Sequence, residues 1–222
     1  MSLDKIHLRK LLKILYLPDG KRRSELRADI RNEIGKPDRD GDGGGDFHVP
    51  FWAAAKQHVA GAVDLRTEVK TLVKINKRRS RLYPALADGF LRWWNENRRW
   101  QNEPFAMLDE SVHGRLDITE LNAIVKVENL LALRVGEHSE RIIYPYFSEE
   151  PLLGDEAARL GLWVLVETLR DHRAEDMRML DVLRGASFGV SDVPFQGNEE
   201  KLLLQKYGAA LDEWEKLKDE YQ

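Results

Sequence analysis

The chain has 222 residues, of which 42% are hydrophobic and 33% charged, and it contains no cysteine. This composition is typical of a soluble globular protein and excludes disulfides, thiolate metal sites and cysteine nucleophiles. No apolar run approaches the ~20 residues that span a bilayer, and the N-terminus lacks the apolar core of a signal peptide, so we expect a cytoplasmic protein with no membrane contact.

Charge is distributed unevenly along the chain. Residues 1–100 contain 22 Lys and Arg against 13 Asp and Glu, a net charge of +9, and the remaining residues carry −12. A basic half attracts polyanions, but the same asymmetry also lets the two halves attract each other, within one chain or between copies. Composition leaves both uses open.

The first half is patterned as helices. Apolar spacing predicts one helix over residues 3–17, ended by Pro18, and a second over about 23–34. A third is expected over 51–62, and Asp64 is placed to cap a helix that runs to about residue 80. Pro84 should begin the next helix, which ends near residue 100, and should hold Tyr83 away from helical angles.

The second half changes to a mixed pattern. Alternating apolar residues predict a strand over 125–135 and a returning strand over 141–147, with Pro145 at a sheet edge or near the strand end. Residues 155–169 are expected to form a helix, and 177–183 a third strand. The last helix, over 199–221, carries a heptad seam that favours docking onto the protein's own core over a partner helix.

The predicted fold is therefore α+β and predominantly helical. A basic helical region over 1–110 precedes an acidic α+β region over 111–222, which contains a small antiparallel sheet with flanking helices and a C-terminal amphipathic helix. One core shared by both regions is the alternative. The side chains expected in the core are Leu11, Ile14, Phe51, Trp52, Leu72, Phe90, Trp93, Leu131, Ile143, Trp163, Leu203 and Trp214.

The strongest functional pattern is a stripe of cations on the helix that follows Asp64. At about 100° per residue its members fall within about 120° of one another, and few acids are interleaved to neutralise them. Such a stripe needs an anionic neighbour, either phosphates or an acidic protein surface. This basic stripe consists of Arg66, Lys70, Lys74, Lys77, Arg78 and Arg81, extended on the next helix by Arg92 and Arg99.

Tryptophans lie among the cations of that next helix. Arginines interleaved with aromatic rings suit single-stranded nucleic acid, because phosphates take the charge while bases stack on the rings. Trp93 and Trp94 nevertheless share a helical face with Phe90, so at least two of Trp93, Trp94 and Trp100 are expected to be structural.

A glycine-rich acidic loop resembles part of a calcium-binding loop. Its carboxylates occupy alternate positions, but the twelfth position, normally a bidentate Glu, is Val49, which favours a flexible loop over a cation site. The weak metal candidates are Asp38, Asp40, Asp42 and Asp46. His48 and His58, together with Asp46, are a second weak set, but isolated histidines are usually structural.

Catalytic patterns are weaker still. Glu128 and Asp181 each lie among apolar residues of a predicted strand, and if those strands were neighbours the two carboxylates would suit Mg²⁺ and a phosphodiester. Ser187 lies in a nucleophile-elbow pattern, but no helix is expected after it and no histidine follows it, so a turn residue is favoured. No Gly-rich nucleotide motif occurs, and no cofactor is predicted.

The leading hypothesis is a cytoplasmic, non-catalytic protein that contacts the phosphates of DNA or RNA through the basic stripe of its N-terminal half. The alternative is a protein–protein interaction or regulatory subunit, either a homo-oligomer or part of a larger assembly, that uses its acidic C-terminal half. A metal-dependent phosphodiesterase or nuclease that uses Glu128 and Asp181 is the third hypothesis.

Overall fold

The computed structural model describes residues 2–35, 47–99, 104–108, 110–137 and 139–221. Helix predominates over strand within these ranges, which confirms the expected α+β class. The α-helices of the described ranges are α1 (Leu8–Tyr16), α2 (Asp19–Ile34), α3 (Val49–Val59), α4 (Leu65–Ile75), α5 (Leu82–Arg99), α6 (Asp155–Thr168) and α7 (Glu199–Asp219).

The strands form two sheets. They are β1 (Lys5–His7), β2 (Phe105–Met107), β3 (Gly114–Ile118), β4 (Ala123–Val127), β5 (Leu131–Val135), β6 (Ser139–Tyr146), β7 (Met177–Asp181) and β8 (Ala186–Phe188). One sheet has the order β1–β4–β3 and the other the order β2–β5–β6–β7–β8. Among the described strands, β1–β4 and β6–β7 pair in parallel and the other pairs are antiparallel, and α6 supplies the crossover that the β6–β7 pair requires.

The N-terminal prediction is wrong in its first residues. Residues 5–7 form β1, which pairs with β4 so that Ile6 lies opposite Val125, and α1 begins only at Leu8. The extended conformation buries Ile6 almost completely and completes the edge of the three-stranded sheet. A local apolar pattern carries no information about such a distant partner.

The single strand predicted over 125–135 is also wrong. The chain turns at Asn129, whose φ is 63°, and the residues on either side form β4 and β5 in different sheets. Asparagine is one of the few residues that tolerate this left-handed conformation, so it can break the strand without a glycine.

Pro84 and Pro145 both occupy positions at which proline is tolerated. Helix α5 begins at Leu82, so Tyr83 is helical, contrary to prediction, and Pro84 sits in the first turn, where backbone N–H groups have no intrahelical acceptor. Pro145 is the next-to-last residue of β6, as expected. It lies beyond Ile143, the last β6 residue whose partner is on β5.

The five-stranded sheet separates two cores. Ala132, Ile142 and Met179 face a core built with α1, α2, α6, α7 and the three-stranded sheet. Leu131 and Ile143 face the opposite core, which α3, α4 and α5 cover. Both cores therefore combine residues from 1–110 with residues from 111–222.

Ten of the twelve predicted core residues are buried, whereas Leu72 and Trp163 are only partly buried. Within the described residues, none of the helices has the length and apolar character needed to cross a bilayer.

Candidate nucleic-acid interface

Helix α4 is positioned by its cap and by its apolar face. The Asp64 carboxylate accepts a hydrogen bond from the Thr67 backbone N–H at 2.8 Å, as the N-cap prediction requires. This hydrogen bond and that from the Thr67 hydroxyl lower the pKa of Asp64. Leu65 and Val69 are buried against α3 and α5, so the opposite face of α4 is turned to solvent.

The helix predicted to run to about residue 80 ends at Ile75. Asn76 adopts an extended conformation, and its side-chain oxygen accepts a hydrogen bond from the Arg78 backbone N–H at 3.0 Å. Residues 77–79 then form a single 3₁₀ turn. The basic stripe is consequently not one continuous helix: Lys77 and Arg78 lie on this turn, and Arg81 precedes α5.

Four exposed members of the stripe have no anionic partner among the described residues. Within the part of the chain that the structure describes, their cationic groups make no hydrogen bond or ion pair. These residues, which we call the cationic surface, are Lys70, Lys74, Lys77 and Arg78.

Two other members of the stripe are neutralised. Arg66 pairs with Asp88 of α5 at 2.6 Å. Arg81 binds both carboxylate oxygens of Glu149, one of them at 2.6 Å, and this contact lowers the pKa of the Glu149 carboxyl. Arg81 belongs to the basic half and Glu149 to the acidic half, so part of the charge asymmetry is cancelled inside the molecule.

The α5 extension of the stripe contributes less. Arg92 is exposed, and its guanidinium lies 3.5 Å from the Arg184 carbonyl oxygen. The side chain of Arg99 lies outside the described residues, as does Trp100. Trp93 and Trp94 are 6% and 5% exposed and belong to the second core, so their rings are not available for stacking on bases.

The two candidate catalytic carboxylates are not on neighbouring strands. Glu128 follows β4 of the three-stranded sheet, and its carboxylate lies 3.7 Å from the Nδ1 atom of His7. Asp181 ends β7 of the other sheet, is 1% exposed, and accepts hydrogen bonds from the Leu153 backbone N–H and from the Arg184 guanidinium. The adjacency that the phosphodiesterase hypothesis needs is absent.

Most of the metal candidates lie in a part of the chain that the structure does not describe. Asp38, Asp40, Asp42 and Asp46 lie outside the described residues. His58 lies with its Nδ1 atom 3.1 Å from the Val63 carbonyl oxygen, in a local turn contact. No group of three or more potential metal ligands occurs in the described ranges.

Ser187 lies in β8 opposite Leu180, and not in a turn as predicted. A strand position within a regular antiparallel pair is also unlike the sharp strand-to-helix turn of a nucleophile elbow.

Sequence reasoning missed a large cavity beside α1. It measures about 1190 Å³, and its walls come from α1, α2, the start of α3 and the segments after β4 and β6. Lys10 and Lys13 line it together with Glu25, which accepts a hydrogen bond from Lys13 at 2.7 Å. Burial alone would raise the pKa of Glu25, but the two lysines outweigh it and lower that pKa.

No local sequence motif predicts this cavity, because its lining residues are far apart in sequence. The i, i+3 pair of lysines on α1 would have been the only sequence signal, and their partners on α2 could not have been assigned without the fold. Glu149, the partner of Arg81, also lines the cavity, which therefore opens next to one end of the basic stripe.

No protein-family model matches the sequence, and the curated proteins contain no match to it either. Function is therefore inferred from the chain's own residues.

Proposed function

We propose that this chain is a cytoplasmic protein that binds nucleic acid by holding backbone phosphates against the cationic surface. The observation that carries the proposal is the absence, within the described residues, of any carboxylate paired with Lys70, Lys74, Lys77 or Arg78. Nearby Arg66 and Arg81 do find such carboxylates. Unpaired like charges at helical i, i+4 spacing repel one another, and a polyanion removes that repulsion.

The chemistry of the surface favours phosphate contacts over base recognition. Lysine is a point charge that attracts phosphates without reading base edges, and the buried Trp93 and Trp94 rings offer no stacking platform. Binding should therefore show little sequence preference and should weaken steeply with salt.

The test is fluorescence anisotropy with labelled single- and double-stranded DNA and RNA at about 50 mM and about 200 mM salt. The informative variant is K70Q/K74Q/K77Q, since glutamine retains the helix propensity of lysine and removes only the charge. Three lost phosphate contacts should reduce the slope of log Kobs against log salt by about 2 to 3.

The matched control is K5Q/K201Q/K216Q, which removes the same charge from three exposed lysines outside the cationic surface. It should leave the salt slope nearly unchanged. Equal losses in the two triple variants would mean that net charge alone drives binding, which contradicts a defined surface. The absence of binding to all four nucleic acids at low salt would overturn the proposal.

An acidic protein partner is the second candidate, and the same unpaired cations favour it. It would bind the cationic surface at low salt in place of nucleic acid, and K70Q/K74Q/K77Q would again weaken the complex. The heptad seam of α7 is no longer an argument for this partner, because its residues Leu203, Tyr207 and Trp214 are buried in the protein's own core.

A further inference from the structure

A small side pocket opens off the large cavity between α1 and α3. It measures about 100 Å³ and shares Arg9, His48 and Asn129 with the lining of the larger cavity. A volume of this size accommodates a few water molecules or a single oxyanion group, but not a whole nucleoside. The larger cavity has room for the remainder of a ligand.

The pocket walls are preorganised by contacts that do not depend on a ligand. The Trp52 indole N–H donates a hydrogen bond to the Asn129 carbonyl oxygen at 2.6 Å, which fixes the ring against the turn after β4. The His48 ring stacks on Phe147, with ring centroids 4.7 Å apart and planes 5° from parallel. Trp52 and Phe147 are each 3% exposed, so they form fixed apolar walls.

Lys56 of α3 lines this pocket and has no counter-ion in the described part of the chain. It is half-buried, and among the described residues its ammonium group has neither a hydrogen bond nor an ion pair. Burial accordingly lowers the pKa of Lys56. A lysine withdrawn from water without a carboxylate beside it is an unfavourable arrangement unless an anion is bound there.

The described lining brings no negative charge to the pocket. Arg9 of α1 also lines it and has contacts of its own within the protein, and none of the described residues that line the side pocket is an Asp or Glu. Burial, together with nearby Arg9 and Lys13, lowers the pKa of His48 to about 4, so its imidazole is neutral at physiological pH. A neutral imidazole has one N–H donor and one acceptor nitrogen.

We propose that the side pocket binds the phosphate group of a small organic phosphate, with the Lys56 ammonium as its cationic contact. A phosphate monoester offers three acceptor oxygens to the three N–H donors of the Lys56 ammonium, one more than a carboxylate offers. The organic part of the ligand occupies the larger cavity. This site is separate from the cationic surface and does not depend on the function proposed above.

The test is isothermal titration calorimetry of the full-length protein with inorganic phosphate and with glucose 6-phosphate, and with glucose as the uncharged comparison. Saturable binding of both phosphates is expected, tighter for the sugar phosphate, with no binding of glucose. Removing one charge-assisted hydrogen bond typically costs ~1.5–3 kcal/mol, so K56Q should weaken phosphate binding by about tenfold or more.

K70Q is the matched control, because it removes one lysine charge from the neighbouring helix and leaves the pocket intact. It should bind both phosphates like the wild type. K56M, which keeps the apolar stem of the lysine, provides a second variant in case K56Q does not fold. Absence of saturable phosphate binding up to about 10 mM, or wild-type binding in the folded Lys56 variants, would overturn the proposal.

Two further arms identify the source of the phosphate. If the ligand is the end of a nucleic-acid strand, a 5′-phosphorylated oligonucleotide should bind more tightly than its 5′-hydroxyl counterpart, and K56Q should abolish the difference. If it is a free metabolite, the two oligonucleotides should bind equally. The K70Q/K74Q/K77Q variant should retain glucose 6-phosphate binding in either case, so the failure of one proposal is distinguishable from the failure of the other.

Discussion

At the residue scale, Gly89 allows the backbone of α5 to approach another backbone segment closely. A Cβ atom at this position would overlap the carbonyl oxygens of Val182 and Leu183, the latter at 2.5 Å. Gly185, whose φ is 62°, forms the other side of the same contact, and its added Cβ would lie 2.6 Å from the Gly89 carbonyl oxygen. The second core therefore depends on glycine where α5 crosses the turn between β7 and β8.

We expect Gly89→Ala to destabilise the protein by about 3 kcal/mol or more, because the obstructing atoms are backbone and can move only with α5 or the turn. The measurement is urea denaturation followed by circular dichroism. Gly20→Ala is the control, since nothing lies within 4 Å of its added Cβ in α2. It should be neutral or stabilising by up to about 1 kcal/mol.

His48 should make stability depend on pH. Its folded pKa of about 4 lies below the unfolded value of 6.5, so between these values the unfolded chain binds a proton that the folded chain does not. Stability is therefore highest above pH 6.5 and falls as the pH drops towards 4, by at most about 1.4 kcal/mol per unit.

Urea denaturation at pH 7 and pH 5 checks this expectation, because most carboxylates titrate below that window. His48→Gln should lose less stability between the two pH values than the wild type. A residual loss is expected from His7, whose pKa burial and nearby Arg9 also lower. An identical pH dependence in wild type and His48→Gln would contradict the burial of His48.

Asp181 should behave as a structural residue. Its carboxylate satisfies the Leu153 and Arg184 backbone N–H groups and pairs with the Arg184 guanidinium at 3.1 Å. Asp181→Asn should cost about 2–4 kcal/mol of folding free energy, because it leaves Arg184 without its counter-ion and one backbone donor poorly satisfied. Glu128→Gln, on a half-exposed carboxylate, should change stability by less than about 0.5 kcal/mol. Thermal denaturation of both variants gives the comparison.

At the scale of elements, α7 docks on its own chain. Its apolar seam is buried against α1, α2 and α6, and the Tyr207 hydroxyl donates a hydrogen bond to the Leu3 carbonyl oxygen at 2.6 Å. Ion pairs also join α2 to α7, because Arg22 and Arg23 of α2 both bind Glu213 of α7, at 2.6 and 2.8 Å.

Truncating the chain before Glu199 should therefore unfold it or leave it aggregation-prone. The deletion removes Leu203, Tyr207, Trp214 and Leu217 from the first core. At about 2–5 kcal/mol for each large core side chain, this loss matches or exceeds the ~5–15 kcal/mol by which domains are stable. Circular dichroism should show lost cooperativity on heating. A truncated protein that melts cooperatively near the wild-type temperature would mean that α7 is not part of the core.

The elements that sequence predicted well are those whose signals are local. The Asp64 cap, the α7 seam and the α6 periodicity all lie within one helix, and each is present as expected. Asn76 and Asn129 mark where prediction failed. Asn76 ends α4, and Asn129 separates β4 from β5. Asparagine is also common in ordinary exposed loops, so its presence alone does not predict where an element ends.

At the scale of the whole molecule, the charge asymmetry is partly resolved by folding. Arg22 and Arg23 of α2 pair with Glu213 of α7, and Arg27 pairs with Glu220 just after α7. Arg81 pairs with Glu149, so basic residues of the first half meet acidic residues of the second. Sequence alone could not reveal which cations find partners. Nor could it reveal the side pocket, whose Arg9, Lys56 and Asn129 meet only through the packing of α1, α3 and the turn after β4.

If the cationic surface is retained for binding, its charges should reduce the stability of the free protein. Lys70 and Lys74 stand at i, i+4 spacing on α4, and a like-charge pair of this kind costs ~0.2–0.5 kcal/mol, whereas Arg66 is neutralised by Asp88. K70Q/K74Q/K77Q should therefore be more stable than the wild type by about 0.2–0.5 kcal/mol at low salt. Urea denaturation with and without added salt measures this difference, which should shrink as salt screens the repulsion.

The K5Q/K201Q/K216Q control should shift stability in the opposite direction. Lys216 of α7 has Asp212 and Glu220 at i−4 and i+4, so its charge is stabilising and its removal is expected to cost a few tenths of a kcal/mol. If K70Q/K74Q/K77Q were instead less stable than the wild type, the three lysines would be held by carboxylates of this chain or of a second copy. The surface would then already be neutralised, and the nucleic-acid proposal would lose the observation on which it depends.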